Sequence, residues 1–189
     1  MTEQPHGQRL SSYSMGDGSP EADAALQTVG KRFGGTVPNM HRVLATSPTA
    51  ITAHTTAQHI LMTGRGSLSR AEREIAATET ARIYGCDYCV AAHRIQARNV
   101  KVAQEDIEAL LAGRPIPEPR LGAIQRLAGE LIATRGRLSD DAIRGYREAG
   151  LSDADIVEVI SIVGFYTWSS FINNVAETEI DSMFRTTTQ

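Results

Sequence analysis

Apolar residues recur in this chain at the three- and four-residue spacing of helices that bury one face. Serines stand where several of these segments begin and glycines where they end, as helix caps prefer. Ser69 and Glu72 form a capping box, which marks one helix start. Little of the chain is left for strands, so the predicted class is all-α. The predicted helices lie within segments 19–35, 37–48, 47–66, 67–85, 86–99, 102–113, 120–136, 139–150 and 152–184, the last with a break near Gly164.

Turn residues and composition predict one domain with an appendage. Residues 1–18 are polar and rich in glycine and serine, and we expect a flexible N-terminal arm. Residues 19–189 are expected to form a single helical domain, since the proline-bearing connector at 115–119 separates helices too short for separate cores.

The charge of the chain narrows the classes of partner. The net charge is −3 with both signs mixed, so we expect neither nucleic acid nor an anionic membrane surface as a partner. No run approaches the roughly 20 apolar residues that span a bilayer, and the start lacks the pattern of a signal peptide. We therefore expect a cytoplasmic protein, in which a Cys-x-x-Cys pair is more often catalytic or metal-binding than a structural disulfide.

The segment YGCDYCVAAH concentrates the reactive side chains of the chain. Both cysteines and one of the five histidines fall within eight positions. On a helix, Cys86, Cys89 and His93 share a sector of about 60°, and Cys89 and His93 are neighbours four positions apart. The first turn of a helix favours a thiolate, and an imidazole can take a thiol proton. The segment can therefore supply a nucleophile, its base and a second thiol.

Glu74 is the candidate carboxylate, twelve positions before Cys86. Small residues on its side of the preceding helix let another helix approach and leave the carboxylate only partly hydrated. Such a group is a usable proton donor or acceptor. A solvated surface carboxylate is the alternative interpretation.

These residues resemble a known family. Glu74, Cys86, Cys89 and His93 fit E-x11-C-x2-C-x3-H, the pattern of AhpD-like alkylhydroperoxidases in the carboxymuconolactone decarboxylase family. The stretch from FGGTVPNMHRVLATSPTA to the cysteines is similar to the longer, peroxidase-related branch of that family. The resemblance covers about residues 33 to 112 and is looser towards the end of the chain.

The resemblance implies an all-helical antioxidant fold, assembled as a dimer or a trimer-based homo-oligomer. By it, Cys89 attacks a small organic hydroperoxide or hydrogen peroxide, Cys86 resolves the sulfenic acid into a disulfide, and Glu74 and His93 relay protons. No cofactor is needed, and electrons come from a dithiol partner, either a thioredoxin-like or a lipoyl-bearing protein. Tyr88 departs from the pattern, because the well-studied peroxidases have a second histidine there. The apolar residues of the last helix also favour self-association: Ile160, Ile162, Val163, Phe165, Tyr166 and Trp168.

Other interpretations of the same residues stay open at this point. The pair could bind a metal in a sensing module, although Cys-x2-Cys-x3-His offers zinc three ligands without an evident fourth. It could sense oxidation without turnover. A cofactor-free lyase or isomerase could use Glu74 and His93 as proton carriers, but the decarboxylases of the family generally lack the cysteine pair.

Overall fold

The computed structural model describes residues 8–185, which form nine α-helices and a 3₁₀ turn with no strand among them. The all-α prediction is confirmed. The helices are α1 (Pro20–Arg32), α2 (Asn39–Leu44), α3 (Pro48–Thr63), α4 (Arg70–Ile83), α5 (Asp87–Asn99), α6 (Gln104–Leu111), α7 (Pro119–Thr134), α8 (Asp140–Glu148) and α9 (Asp153–Ala176), and the 3₁₀ turn is Ser182–Phe184.

Serine side chains start five of the nine helices that the structure describes. The predicted capping box of α4 is confirmed: Glu72 N–H donates to Ser69 Oγ (3.3 Å), and Ser69 N–H donates to Glu72 Oε2 (2.6 Å). Each such cap stabilises its helix by about 1 kcal/mol, so helix starts follow local sequence closely. The capping serines are Ser19, Ser47, Ser69, Ser139 and Ser152.

The predicted break of the last helix near Gly164 is wrong, because α9 runs unbroken for 24 residues. A glycine in a helix interior costs only about 1 kcal/mol, and the buried apolar face of α9 offsets it. The helix instead ends at Ala176, where Glu177 adopts a left-handed conformation (φ 50°). Residues 178–185 then form a separate C-terminal segment.

Helix α4 lies at the centre of the fold, and every residue from Glu72 to Ala81 is buried. It packs against α5, α7 and α9, and the main apolar core lies among these helices and α6. A second apolar cluster joins α1 and α2 to the start of α5 and to Phe184 of the C-terminal segment. Both cysteines belong to this second cluster. The cysteine segment therefore lies where the two clusters meet.

The described part of the predicted arm, residues 8–18, makes backbone hydrogen bonds to the helical body. Arg9 N–H donates to Ala176 O (2.8 Å), and Tyr13 N–H donates to Arg42 O (2.9 Å). Residues 1–7 lie outside the described residues, so the flexible arm stays a prediction.

Helix α9 is the one helix of the described chain that is long and apolar enough to cross a membrane by length and composition alone. One 18-residue window of this helix has a mean hydropathy of 1.3, and 44% of that window is buried inside the fold. The core helix of a globular protein passes the same test, so this is weak evidence for a span.

Candidate active site

The cysteines lie at the sharp corner between α4 and α5. Gly85 adopts a left-handed conformation (φ 61°) that glycine tolerates best, and Cys86 N–H donates to Ala81 O (2.9 Å) across the corner. Cys86 is thus the N-cap of α5, one position before its first helical residue. Its Sγ accepts the backbone N–H of Cys89 (3.2 Å), so the sulfur occupies the place of a capping oxygen.

Glu74 and His93 form a buried pair that joins α4 to α5. Their Oε2 and Nδ1 atoms are 2.7 Å apart, and both residues are buried. A carboxylate only accepts hydrogen bonds, so Nδ1 carries a proton in this pair, and Nε2 is the nitrogen that can exchange a proton with the cavity. The ring of Tyr166 stands edge-on to His93 with centroids 4.4 Å apart. Burial, and then the Glu74 carboxylate, raise the pKa of Tyr166 well above its usual range, so it stays a neutral phenol.

Helix α9 supplies the polar groups nearest to the sulfur of Cys89. Asn173 Nδ2 donates to Cys89 Sγ (3.3 Å), and Ser170 Oγ lies 3.9 Å from the same sulfur. No hydrogen bond joins Cys89 to His93 within residues 8–185, although both line one cavity. Sequence reasoning missed these roles of Asn173 and Ser170. A sequence pattern that could have indicated these roles is a pair of polar residues three positions apart on the buried face of an otherwise apolar helix.

The two thiols perturb each other's pKa in opposite directions. The hydrogen bond with Cys89 is the main cause that lowers the pKa of Cys86, and the backbone N–H at the helix start adds to it. The same hydrogen bond, followed by burial, raises the pKa of Cys89, while Asn173 opposes the rise. The expected thiolate therefore forms first on Cys86, with the remaining proton on Cys89. From their position at a helix start alone, both Cys86 and Cys89 were expected to favour the thiolate form.

A small cavity opens beside the cysteine corner. Its volume is about 70 Å³, and Cys89 and His93 line it whereas Cys86 does not. Cys86 is completely buried. Much of the remaining wall is apolar, with Phe33 and Phe184 among its side chains. A small molecule entering the cavity would meet Cys89 and not Cys86.

Tyr88, at the place of the second histidine in the resembling peroxidases, holds the C-terminal segment. Its hydroxyl donates to Asp181 Oδ2 (2.6 Å) and accepts the N–H of Met40 (3.3 Å), and its ring stands edge-on to Phe184. Burial, followed by Asp181, raises the pKa of Tyr88 far above its usual range. Tyr88 therefore connects α5 to the C-terminal segment, and its hydroxyl proton stays in the hydrogen bond with Asp181.

Side chains suited to a metal are not gathered in one place in the part of the chain that the structure describes. Within residues 8–185, no three His, Cys, Asp or Glu side chains are grouped as ligands of a metal ion would be.

Comparison with known proteins agrees with the resemblance drawn from the motif. The sequence model of the Carboxymuconolactone decarboxylase family matches residues 48–117, which include Glu74, Cys86, Cys89 and His93. The match confirms that this part of the chain carries the family pattern. Comparison with curated proteins gives no significant match.

Solved structures share the fold over nearly the whole chain. A peroxidase-related protein from Ralstonia eutropha JMP134, described as an alkylhydroperoxidase AhpD core, has a TM-score of 0.85 at 23% identity and covers 96% of both chains. A peroxidase-related protein from Silicibacter sp. TM1040 has a TM-score of 0.78 at 21% identity, covering 98% of this chain and 100% of its own. The debrominase Bmp8, as a cysteine-to-alanine variant in complex with 2,3,4-tribromopyrrole, has a TM-score of 0.77 at 12% identity, with 96% of both chains covered. At these identities the likeness establishes the AhpD-like fold.

Proposed function

For a chain with the carboxymuconolactone decarboxylase family pattern and an AhpD-like fold, we propose a thiol-dependent peroxidase that reduces small hydroperoxides. The observation that carries this proposal is the position of Cys89. Cys89 lines a cavity together with His93, and the thiol of Cys86 is held against Cys89 at the start of α5. A nucleophile, a resolving thiol and a proton carrier are thus within one corner of the fold.

The reaction has two chemical steps and one reductive step. Cys89 thiolate attacks the terminal oxygen of ROOH, so an S–O bond forms, the O–O bond breaks and RO⁻ leaves. Cys86 thiolate then attacks the Cys89 sulfenic acid, forming the S–S bond and releasing hydroxide. An external dithiol returns two electrons and two protons to the disulfide.

Protons move through the Glu74–His93 pair. The thiolate that starts on Cys86 must pass to Cys89, which means that the shared proton moves between the two sulfurs. The hydrogen bond from Asn173 favours the negative charge on Cys89 once it arrives there. His93, held by Glu74, takes up the remaining thiol proton and returns one to the leaving RO⁻.

The partners follow from this chemistry. Thiol oxidation needs no haem, flavin or metal of the protein's own, but turnover needs a dithiol reductant, thioredoxin-like or lipoyl-bearing. A reducing compartment such as the cytoplasm would supply it.

Self-association is proposed from the exposed face of α9. Ile162, Val163, Phe165 and Tyr166 are buried within the chain's own core, so they cannot form the subunit interface that the sequence suggested for them. Ile160, also in the predicted set, is exposed. It lies at helical spacing with three further exposed apolar residues of α9, and we propose that a second copy covers this face: Val157, Ile160, Phe171 and Val175.

The experiment that tests the proposal follows both sulfurs. Reduced protein treated with one equivalent of an organic hydroperoxide should lose two free thiols and gain an intramolecular disulfide by mass spectrometry. Cys86→Ser should stop at a sulfenic acid on Cys89 that dimedone traps, and Cys89→Ser should not react. Trapping on Cys86 in Cys89→Ser, with none in Cys86→Ser, would reverse the roles of the sulfurs. Two thiols untouched by peroxide would refute the proposal.

Steady-state assays separate the other candidate activities. Continuous hydroperoxide consumption with a recycling dithiol distinguishes an enzyme from a sensor that is oxidised once. Because a debrominase shares the fold, bromide release from 2,3,4-tribromopyrrole is the matched control reaction. Release of bromide without peroxide consumption would favour that activity instead.

A further inference from the structure

The C-terminal segment, residues 178–185, completes the wall of the cavity beside Cys89. Among the described residues that line this cavity, Phe184 alone comes from the segment, and the others lie in α-helices or at helix caps. The Phe184 side chain is buried, whereas Ser182, Met183 and Arg185 around it are exposed. One side chain of a short surface segment therefore covers this side of the cavity.

Asp181 anchors the segment to two helices. Its carboxylate accepts a hydrogen bond from the Tyr88 hydroxyl (2.6 Å) and another from Asn39 N–H (3.0 Å). The Asn39 side chain also donates to Glu179 O (2.9 Å), and the ring of Phe184 stands edge-on to that of Tyr88. Tyr88 lies between the two cysteines in the sequence, so the position of Phe184 depends on the first turn of α5.

The two partners of Cys89 in the proposed reaction need different amounts of space. The cavity of about 70 Å³ has room for about five water molecules, which suits a peroxide that brings two oxygens to the sulfur. A dithiol needs more room. Its second thiol has to reach the mixed disulfide, so both of its sulfurs and the carbons between them must come beside Cys89.

The buried position of Cys86 fixes which sulfur the dithiol attacks. Cys86 is completely buried and does not line the cavity, so the incoming thiolate bonds to Cys89 Sγ. The S–S bond between the cysteines breaks, and Cys86 leaves as a thiolate that accepts Cys89 N–H. The second thiolate of the dithiol then attacks its own mixed disulfide, which releases Cys89 and an oxidised dithiol. The two thiol protons of the dithiol end on Cys86 and Cys89.

We propose that Phe184 is a gate over Cys89, which the Tyr88–Asp181 hydrogen bond holds closed. The closed gate admits small peroxides, and it has to move away with the C-terminal segment before a dithiol reaches the same sulfur. This inference rests on the proposed function and adds the residues that separate its oxidative half from its reductive half. The closed gate also shields the Cys89 sulfenic acid from external thiols until Cys86 has reacted.

Asp181→Ala tests the gate on the reductive half, because it removes the acceptor of Tyr88 and Asn39 without altering the cavity wall. With protein oxidised by diamide, reduction of the disulfide by dihydrolipoamide should be about tenfold faster than in the wild type. Oxidation of the reduced protein by hydrogen peroxide should stay within about twofold. Tyr88→Phe, which removes only the hydroxyl, should also accelerate the reduction.

Glu179→Ala is the matched control. It breaks the exposed ion pair with Arg185 (2.6 Å) inside the segment and leaves the bonds to Asp181 in place, so both rates should equal those of the wild type. An unchanged rate of reduction in Asp181→Ala and Tyr88→Phe would overturn the gate. Equal acceleration of reduction and of peroxide oxidation would overturn it too, because the substitution would then have acted on the sulfur itself.

Alkylation of Cys89 makes the inference independent of turnover. In reduced protein, N-phenylmaleimide, which is too bulky for the closed cavity, should label Cys89 about tenfold faster in Asp181→Ala than in the wild type. Iodomethane, which fits the cavity, should label it within about twofold in both proteins. Mass spectrometry resolves the labelled residue. Equal rates for N-phenylmaleimide in the two proteins would overturn the gate.

Failure of the proposed function gives a different result. If Asp181→Ala accelerates N-phenylmaleimide alone but wild-type Cys89 resists peroxide, the peroxidase is overturned and a gate over a reactive thiol is retained. If peroxide oxidises the wild type but Asp181→Ala changes neither alkylation nor reduction, the peroxidase is retained and the gate is overturned.

Discussion

Two neutral histidines inside the fold should make its stability depend on pH in a range where most carboxylates remain ionised. Burial lowers the pKa of His41 to about 4 and that of His54 to about 3, from an ordinary value of 6.5. As the pH falls through about 6.5, the unfolded chain takes up protons at both imidazoles while the folded chain does not. The unfolded state therefore binds more protons. Stability is fully present above pH 6.5 and is lost as the pH falls towards the folded-state pKa values.

The magnitude follows from these pKa values. Within that interval each histidine loses about 1.4 kcal/mol per pH unit. Between pH 7 and pH 5, His41 and His54 should each lower the free energy of unfolding by about 2 kcal/mol, or about 4 kcal/mol together. Asp155 does not enter this comparison. Burial raises its pKa, but hydrogen bonds led by that from Ser152 N–H outweigh burial and hold the pKa at about 2, so its contribution is lost only below about pH 4.

Urea unfolding at pH 7, 6 and 5 measures the effect. Wild-type stability should fall by about 4 kcal/mol, and His41→Phe should lose only about half as much over the same range. His59→Phe, at an exposed position, should behave like wild type. A wild-type change below about 1 kcal/mol, or an unchanged pH dependence in His41→Phe, would refute the reasoning that buried neutral imidazoles are responsible.

Four further outcomes test other parts of the structure. Tyr88→Phe removes the charge-assisted hydrogen bond to Asp181 and should lower the free energy of unfolding by about 2 kcal/mol. The Tm should then be lower by about 4–8 °C, and an unchanged Tm would contradict a stabilising role of this bond. Cys86→Ser removes the hydrogen bond that is the largest cause of the raised pKa of Cys89. The rate at which iodoacetamide labels Cys89 should therefore reach half its maximum at a lower pH than in the wild type. A higher pH would count against the hydrogen bond between the two sulfurs. Glu74→Gln should slow oxidation by hydroperoxide about 100-fold, and a rate decrease of less than about threefold would contradict the proposed proton transfer through Glu74 and His93. Light scattering should give a multiple of 20.5 kDa for the wild type and 20.5 kDa for Ile160→Glu; a monomeric wild type would show that α9 has no second copy on it.

Local chemistry explains how much could be predicted from the sequence. The start of α4 followed from Ser69 and Glu72, because capping needs only residues three apart. Glu74 and His93 lie on two successive helices joined by a tight corner, and the family resemblance had implied that both relay protons. Prediction failed at Gly164, where packing of the whole helix outweighs one unfavourable residue.

The rest of the site depends on contacts between distant segments. Asn173 reaches Cys89 across 84 positions of sequence, and helical periodicity does not reveal which buried faces touch. His41, which lines the cavity with Cys89, was absent from the predicted site for the same reason. The opposite pKa shifts of Cys86 and Cys89 also required coordinates, because they come from one hydrogen bond between two sulfurs that the helix start would otherwise favour equally.

The C-terminal segment has a consequence for the synthesis of the protein. Asp181 accepts hydrogen bonds from Tyr88 and from the backbone N–H of Asn39, and Phe184 forms part of the cavity wall. A chain grows from its N-terminus at about 5–20 residues per second, so the cysteines are synthesised several seconds before the residues that cover them. During that interval the nascent thiols have neither the cavity nor the Asn173 amide around them. They react as ordinary solution thiols until Asn173, Asp181 and Phe184 have left the ribosome.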